Sequence, residues 1–259
     1  MYKLPKQNRF IDLSDYARPL ATRLVQFLLP YSFITAITVT WCFTVVGFLS
    51  AALIWEGKWL FLAALLLPFK SLLDAADGSL ARARNTPSQV GRFLDSFCDF
   101  FVNLALFLSI AHHTGQSPWY ALLALVAATF QGSIYNYYYL IKRHDSGGDI
   151  TSVVDQRNAP KPFPGDNPRV LKFLHTSYLV LYWWQDRLAY RLDPDAVHHG
   201  EKLTAGFLTA ISVLGLGFQL LMVCLLMWSQ NMEQVFFYFT IVATGYSLAL
   251  VGYRRFVLS

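Results

Sequence analysis

Charged residues are scarce in this chain. Asp, Glu, Lys and Arg make up only 14% of its 259 residues, whereas 55% are hydrophobic and 16% are aromatic. Soluble domains carry about 25% charged residues, so this composition points away from a soluble enzyme and is typical of a membrane protein. The net charge of +5 predicts attraction to anionic membrane lipids, and no nucleic-acid partner is expected.

Cysteine is scarce as well. Cys42, Cys98 and Cys224 lie in apolar stretches without any paired spacing, which argues against a disulfide framework or a zinc site. They are predicted to be packing residues. The sequence also lacks internal repeats, and the residues before the first apolar run carry too many charges for the core of a signal peptide. That first run is therefore expected to be retained.

The apolar residues form six runs. Each is about 19 to 25 residues long, which at about 1.5 Å per helical residue crosses a hydrocarbon core about 30 Å thick. The sequence therefore predicts an all-α polytopic integral membrane protein, a single membrane domain over residues 1–259 with six transmembrane helices. The expected spans are residues 31–54, 59–80, 93–113, 119–141, 204–228 and 235–253.

An N-terminal segment precedes these spans. Residues 8–29 have apolar positions at helical spacing beside Arg18 and Arg23. This pattern predicts an amphipathic interfacial helix on the cytoplasmic face of the membrane, and a frayed polar segment is the alternative. Spans one to four then occupy residues 31–143.

A long loop separates the fourth span from the fifth. Residues 144–203 contain several prolines and are predicted to lie in the cytoplasm, followed by spans five and six over residues 204–253. Within the loop, residues 169–192 resume a helical pattern. Its uncharged part, residues 173–185, is too short for a seventh span, so an interfacial helix is favoured.

The orientation follows from the positive charges. Of the 21 lysines and arginines, all except Lys58 and Lys70 lie on the cytoplasmic side or at that boundary when the N-terminus is cytoplasmic. Cytoplasmic flanks carry the excess of Lys and Arg, and aromatic residues mark the membrane interfaces. Four tryptophans lie at the opposite ends of the spans: Trp55, Trp59, Trp119 and Trp228. Both signals predict cytoplasmic N- and C-termini.

Four aspartates stand out in this apolar background. Asp74 and Asp77 are three residues apart near the end of span two, and Asp95 and Asp99 are four apart near the start of span three. Each pair shares a helical face, at about 6 to 15 Å from the cytoplasmic turn. Burying four carboxylates costs about 10 kcal/mol before compensation, and a bound cation is the usual compensation.

The type of ligand predicts the type of cation. Clustered carboxylate oxygens suit Mg²⁺, Mn²⁺ or Ca²⁺ and disfavour zinc, and a pair of divalent ions fits four carboxylates best. Metals held in this way commonly bind phosphates. Small residues on the same faces leave room for a bulky polar ligand, and Arg82 is placed to pair with phosphate oxygens; the small residues are Gly78, Ala81 and Gly91.

The complete pattern resembles a known signature. Asp74-x2-Asp77-Gly78-x2-Ala81-Arg82-x8-Gly91-x3-Asp95-x3-Asp99 is similar to the motif of the CDP-alcohol phosphotransferases, also called the CDP-alcohol phosphatidyltransferase family. The resemblance implies transfer of a substituted phosphoryl group from a CDP-linked donor to an alcohol acceptor, with release of CMP. It also implies Mg²⁺ or Mn²⁺ as cofactor, with two ions per site, and a homodimer.

The resemblance further implies a role for each motif residue. Asp74, Asp77 and Asp95 would be metal ligands, and Asp99 would complete the metal site and act as the general base. The nucleotide-binding residues would be Gly78, Ala81, Arg82 and Gly91. At the start of span one, members often have Asn after Pro, whereas this chain reads Pro30-Tyr31-Ser32, so Ser32 is assigned to the nucleotide site in its place.

Basic residues in the long loop are candidates for contacts with a phosphate or with the acceptor. They are Arg157, Lys161, Arg169 and Lys172. The alternative is that they only supply the positive charge that a cytoplasmic loop carries.

The leading hypothesis is transfer of a phosphatidyl group from CDP-diacylglycerol to a small polar alcohol in phospholipid synthesis. The alternative reverses the roles, with CDP-choline or CDP-ethanolamine as donor and diacylglycerol as acceptor. A cation or proton transporter that uses the buried aspartates is a remote alternative. It is disfavoured because the chain lacks inverted repeats and the carboxylates have no polar path to the outer side.

Overall fold

Helices account for the regular structure of the chain. The computed structural model describes residues 4–5, 8–147 and 156–258, and within these ranges it contains no β-strand. Each of the six apolar runs coincides with a helix or a bent pair of helices. The α-helices are α1 Arg18–Leu28, α2 Ala36–Trp55, α3 Leu60–Ala83, α4 Gln89–His113, α5 Pro118–Asp145, α6 Pro168–Tyr178, α7 Trp184–Leu192, α8 Ala205–Ile211 and α9 Leu216–Trp228, and the C-terminal helix covers Met232–Val257.

Three of the described helices are long and apolar enough to cross a membrane: α2, α4 and the C-terminal helix. The segment Ala205–Leu214 and α9 meet at 55° and form a fourth candidate if they are one broken span. The first half of α3 is equally apolar, but Lys70, Asp74 and Asp77 follow in the same helix. These helices therefore support an integral membrane protein. That the chain crosses the membrane six times stays a prediction.

The N-terminal helix is shorter than the expected 8–29. Residues before Arg18 form turns, because the side chain of Asp12 accepts a hydrogen bond from the backbone N–H of Ser14 at 3.1 Å. Side chains of this kind compete with helical hydrogen bonds. From Arg18 onward, α1 buries Ala21 and Val25 against α3.

The long loop contains the expected helical segment. Residues 168–192 run as α6, a π-helical turn at Leu179–Trp183, and α7. Asn167 caps the start, since its side-chain oxygen accepts from the backbone N–H of Arg169 at 2.9 Å. The segment packs against α4 through Leu171 and Leu174 and then reaches α5.

A buried ion pair holds the end of this segment. The guanidinium of Arg254, in the C-terminal helix, donates to the carboxylate of Asp193 at 2.6 Å. Tyr138 donates to the same carboxylate at 2.8 Å, and Tyr137 donates to the backbone oxygen of Asp193 at 2.7 Å. These contacts join the segment to α5 and to the C-terminal helix.

Close packing of the first helices positions the motif. A Cβ atom on Gly47 of α2 would lie 2.3 Å from Cγ1 of Val102 in α4, so only glycine allows this approach. Four of the seven tryptophans lie at the other end of the bundle, where the indole of Trp55 stacks on His112 at 3.8 Å and Phe61 stacks on Trp228 at 5.5 Å. We refer to the two ends of the bundle as the motif end and the tryptophan end.

Candidate active site

The two arms of the motif meet between α3 and α4. Carboxylate oxygens of Asp74, Asp95 and Asp99 lie within 4.8 Å of one another. Because Asp95 and Asp99 are four residues apart, they share the face of α4 that is turned toward α3. The structure thus brings together three of the four aspartates expected to bind metal.

Asp77 is held beside this group by a different helix. Its carboxylate accepts a hydrogen bond from Oγ1 of Thr40 at 2.8 Å and another from the backbone N–H of Gly78. Thr40 is a buried residue of α2 that the sequence analysis did not single out. Its place in the sequence could have indicated the contact, because Thr40 is a polar residue in the apolar first span at a depth similar to that of Asp77.

Lys70 is a second residue that the sequence analysis left without a role. Its side chain is fully buried, and its ammonium group donates to Oδ1 of Asp99. The available signal was its position four residues before Asp74, which places both side chains on one face of α3.

The residues present fit a divalent metal. Oδ1 of Asp95 is buried and has no hydrogen-bond partner among the described residues. A buried carboxylate oxygen without a partner is strongly unfavourable, and other carboxylates nearby add repulsion. A hard divalent cation such as Mg²⁺ or Mn²⁺ would satisfy the oxygen and the charge together.

A cavity of about 860 Å³ opens onto the carboxylates. It is lined by all four aspartates and by the residues expected to bind the nucleotide, Gly78, Ala81, Arg82 and Gly91. A Cβ atom at position 78 would lie 3.4 Å from Nη1 of Arg82, in van der Waals contact with the end of that side chain. The volume is within the usual range for small-molecule sites.

The helical segment of the long loop, residues 168–192, contributes one wall of the cavity. Tyr178, Tyr182 and Asp186 line it. The hydroxyl of Tyr178 donates to the carboxylate of Asp186 at 2.5 Å, and that of Tyr182 donates to the backbone oxygen of Ser96 at 3.0 Å. Burial raises the pKa of Asp186, and the hydrogen bond from Tyr178 opposes this increase.

Another wall comes from the turns before α1. Arg18 pairs with Asp15 at 2.6 Å and donates to the backbone oxygen of Ala75 at 3.0 Å. On the other side, the hydroxyl of Tyr135 donates to Asp12 at 2.6 Å. The N-terminal turns therefore connect α3 to α5 across the cavity.

A sequence model described as CDP-alcohol phosphatidyltransferase matches residues 32–246. The chain belongs to this family. It is therefore a transferase, and the family uses CDP-linked donors and alcohol acceptors. The matched residues include the whole motif and the segment that carries Tyr182 and Asp186.

Two curated relatives match shorter stretches. The "Bifunctional IPC transferase and DIPP synthase" of Thermococcus kodakarensis is 40% identical over 70 residues, which are 26% of this chain and 16% of that protein. The "Phosphatidylinositol phosphate synthase" of Cutibacterium acnes is 32% identical over 100 residues, which are 38% of this chain and 48% of that protein. The chain thus spans less than half the length of either relative.

Ser32 lies apart from the other residues that were expected to bind the nucleotide. It is exposed, in the connection between α1 and α2, and does not line the cavity. Arg84 holds this connection by donating to the backbone oxygens of Leu28 and Tyr31 at 2.9 and 2.8 Å. The residues of α2 that line the cavity are instead Ala36, Ile37 and Thr40.

The basic loop residues also lie outside the cavity lining. All four are exposed: Arg157, Lys161, Arg169 and Lys172. The arginines that line the cavity, besides Arg82, are Arg18, Arg92 and Arg143. Contacts of the loop residues with a phosphate or an acceptor stay a prediction.

Proposed function

We propose that this protein transfers a phosphatidyl group from CDP-diacylglycerol to the hydroxyl group of a small polar alcohol, with release of CMP. The observation that carries the proposal is the meeting of Asp74, Asp95 and Asp99 within 4.8 Å at a large cavity. A soluble alcohol and a lipid-borne diphosphate can both reach such a site if it lies near the cytoplasmic membrane surface.

Asp74, Asp77, Asp95 and Asp99 would hold two divalent ions, Mg²⁺ or Mn²⁺. When bound, the ions would neutralise the diphosphate and the negative charge that develops as CMP leaves. The unpartnered oxygen of Asp95 supports this assignment.

Asp99 is proposed as the general base. Its Oδ1 accepts from Lys70, which leaves the other oxygen for the proton of the acceptor hydroxyl. The hydroxyl oxygen forms a bond to the phosphorus that carries the diacylglycerol, and the bond from that phosphorus to the CMP oxygen breaks. The proton moves to Asp99 and the electron pair leaves with CMP.

The nucleotide part of the donor would lie along α3. Arg82 offers a charged, forked donor for diphosphate oxygens. Gly78 and Ala81, the small residues on the same helix, allow the donor to approach the backbone. Gly91, which also lines the cavity, is proposed to face the nucleotide from α4.

We also propose six transmembrane spans, with cytoplasmic termini and the active site facing the cytoplasm. In this arrangement α3 and α5 cross the membrane, and the charges of α3 face the cavity rather than lipid. The exposed Trp55, Trp59 and Trp119 at the tryptophan end support the orientation. A homodimer is proposed from the family resemblance alone, and cross-linking in membranes tests it.

The test uses purified protein in lipid nanodiscs with Mg²⁺ or Mn²⁺. CDP-diacylglycerol is supplied with a panel of alcohols, CMP release is measured, and mass spectrometry identifies the lipid product. Because one relative is named as a phosphatidylinositol phosphate synthase, the panel includes inositol and inositol phosphate. Parallel reactions with CDP-choline or CDP-ethanolamine and diacylglycerol test the reversed roles. We expect CMP only with CDP-diacylglycerol; no CMP with any donor, or full activity of Asp99→Asn, would contradict the proposal.

A further inference from the structure

The buried lysine beneath the carboxylates is not explained by the family signature. We propose that Lys70 is a positioning residue, a built-in counter-charge that orients Asp99 and limits the affinity of the site for divalent cations. The inference rests on the proposed function, in which Asp99 is the general base.

Lys70 lies in a buried position next to the aspartates. It precedes Asp74 by four residues, so it occupies the same face of α3 one turn further from the motif end. Its side chain is 0% exposed, and its ammonium lies 4.6 Å from the centroid of the Phe43 ring of α2. An apolar helix and an aromatic ring thus enclose the ammonium group, and the carboxylate of Asp99 is its salt-bridge partner.

The contact has a consequence for the geometry of Asp99. Because Oδ1 is bound by Lys70, the carboxylate cannot rotate freely. A general base depends on such placement, since an error of about 1 Å can lower the rate about a hundredfold. Without the ammonium group, Oδ1 of Asp99 would be free to rotate toward a bound cation.

The contact also has a consequence for charge. As metal ligands the four aspartates would carry a charge of −4, and the ammonium of Lys70 would reduce the total to −3. The charges of Asp74 and Asp95 also act on this ammonium. A divalent cation is therefore attracted less strongly while Lys70 is present. Removing the lysine should therefore tighten cation binding and slow catalysis. If the ion pair had only a structural role, breaking it would weaken both cation binding and catalysis.

The experiment compares Lys70→Met with Lys58→Met in nanodiscs. Lys58 lies in the turn between α2 and α3 at the tryptophan end, with its side chain 69% exposed, and is the matched control. Mn²⁺ binding to metal-free protein is measured by electron paramagnetic resonance, and kcat and KM are measured by CMP release. For Lys70→Met we expect Mn²⁺ to bind about tenfold more tightly. We also expect kcat to fall about a hundredfold, with KM for the donor nearly unchanged. Lys58→Met should match the wild type in both assays.

Two further measurements separate charge from folding. Lys70→Arg retains the positive charge, so its Mn²⁺ affinity should stay near that of the wild type and part of kcat should return. The melting temperature of metal-free Lys70→Met should be lower than that of the wild type, and saturating Mn²⁺ should remove most of the difference.

Unchanged or weaker Mn²⁺ binding by Lys70→Met, or an unchanged kcat, would overturn the inference. If the wild type itself releases no CMP, the proposed function fails, and the role of Lys70 in orienting the base fails with it. The Mn²⁺ measurement still decides separately whether Lys70 limits the affinity of the site.

Discussion

The two ends of the bundle differ in the contacts that hold their helices together. At the tryptophan end, α2, α4 and α9 are joined by apolar packing and stacked rings, including Trp55 on His112. At the motif end, apolar packing such as that of α1 against α3 is accompanied by polar contacts. The carboxylate of Asp166, for example, accepts from Ser88 at 2.5 Å and from the backbone N–H of Gln89 at 2.8 Å. Apolar packing at the tryptophan end holds the helices together, and the motif end can therefore contain a cavity and the unpartnered oxygen of Asp95 without loss of the fold.

Removing the metal should have the largest effect, because it should abolish activity at the motif end while the helices stay folded. Dialysis against EDTA is expected to reduce CMP release to background, because no divalent ions would remain to neutralise the diphosphate. Adding Mg²⁺ or Mn²⁺ should restore activity, while circular dichroism should show the same helical content throughout. Undiminished CMP release after exhaustive chelation would disprove the metal assignment.

Two buried carboxylates should respond in opposite ways to substitution by Asn. Asp95 has an oxygen without a partner and lies among other carboxylates, whereas Asp193 is paired with Arg254. We expect Asp95→Asn to lower kcat by about a hundredfold or more but to raise the melting temperature of the metal-free protein, because repulsion is relieved.

Asp193→Asn is the matched comparison. It should destabilise the protein by about 3 kcal/mol or more, since it leaves the buried guanidinium of Arg254 without a counter-charge. The melting temperatures of both variants, measured without metal, show whether each is more or less stable than the wild type. If Asp95→Asn also destabilised the metal-free protein, the carboxylates would not be in repulsive contact.

A side chain at position 78 should impair donor binding. Gly78→Val would place methyl groups beyond a Cβ position that already lies 3.4 Å from the guanidinium of Arg82, and we expect KM for CDP-diacylglycerol to rise about tenfold. Gly245→Val in the C-terminal helix is the control, because a Cβ atom there has no neighbour within 4 Å. An equal effect of both substitutions on KM would point to a general loss of helix stability instead.

An effect of similar size is expected when the hydroxyl that supports Asp77 is removed. Thr40→Val removes the 2.8 Å hydrogen bond to that carboxylate, and activity should fall about tenfold. Thr44→Val is the control in the same helix, because its hydroxyl donates to the backbone oxygen of Thr40 and reaches α4 through the thiol of Cys98. Steady-state kinetics of the two variants, side by side, check the difference. Equal losses would show that the threonines serve α2 itself and not the site.

Several features were predictable because they depend on local spacing. The six apolar runs predicted helices that the structure contains, since a run of apolar residues is independent of its neighbours in three dimensions. The intervals within Asp74–Asp77 and Asp95–Asp99 predicted shared helical faces, and the family resemblance built on them is confirmed. The start of α1 was less predictable, because Asp12 and Ser14 form turns where apolar spacing alone predicted helix.

Other features were decided only by tertiary packing. That Lys70 contacts Asp99, that Thr40 donates to Asp77 and that Ser32 lies outside the cavity depend on how α2, α3 and α4 are rotated against one another. Such rotations are set by long-range contacts, like the approach of Val102 to Gly47, which no local pattern contains. The sequence by itself thus determined the helices and the chemistry of the motif. The tertiary structure decided which side chains from other helices complete the site, because hydrogen bonds and ion pairs across helices depend on ångström-scale distances.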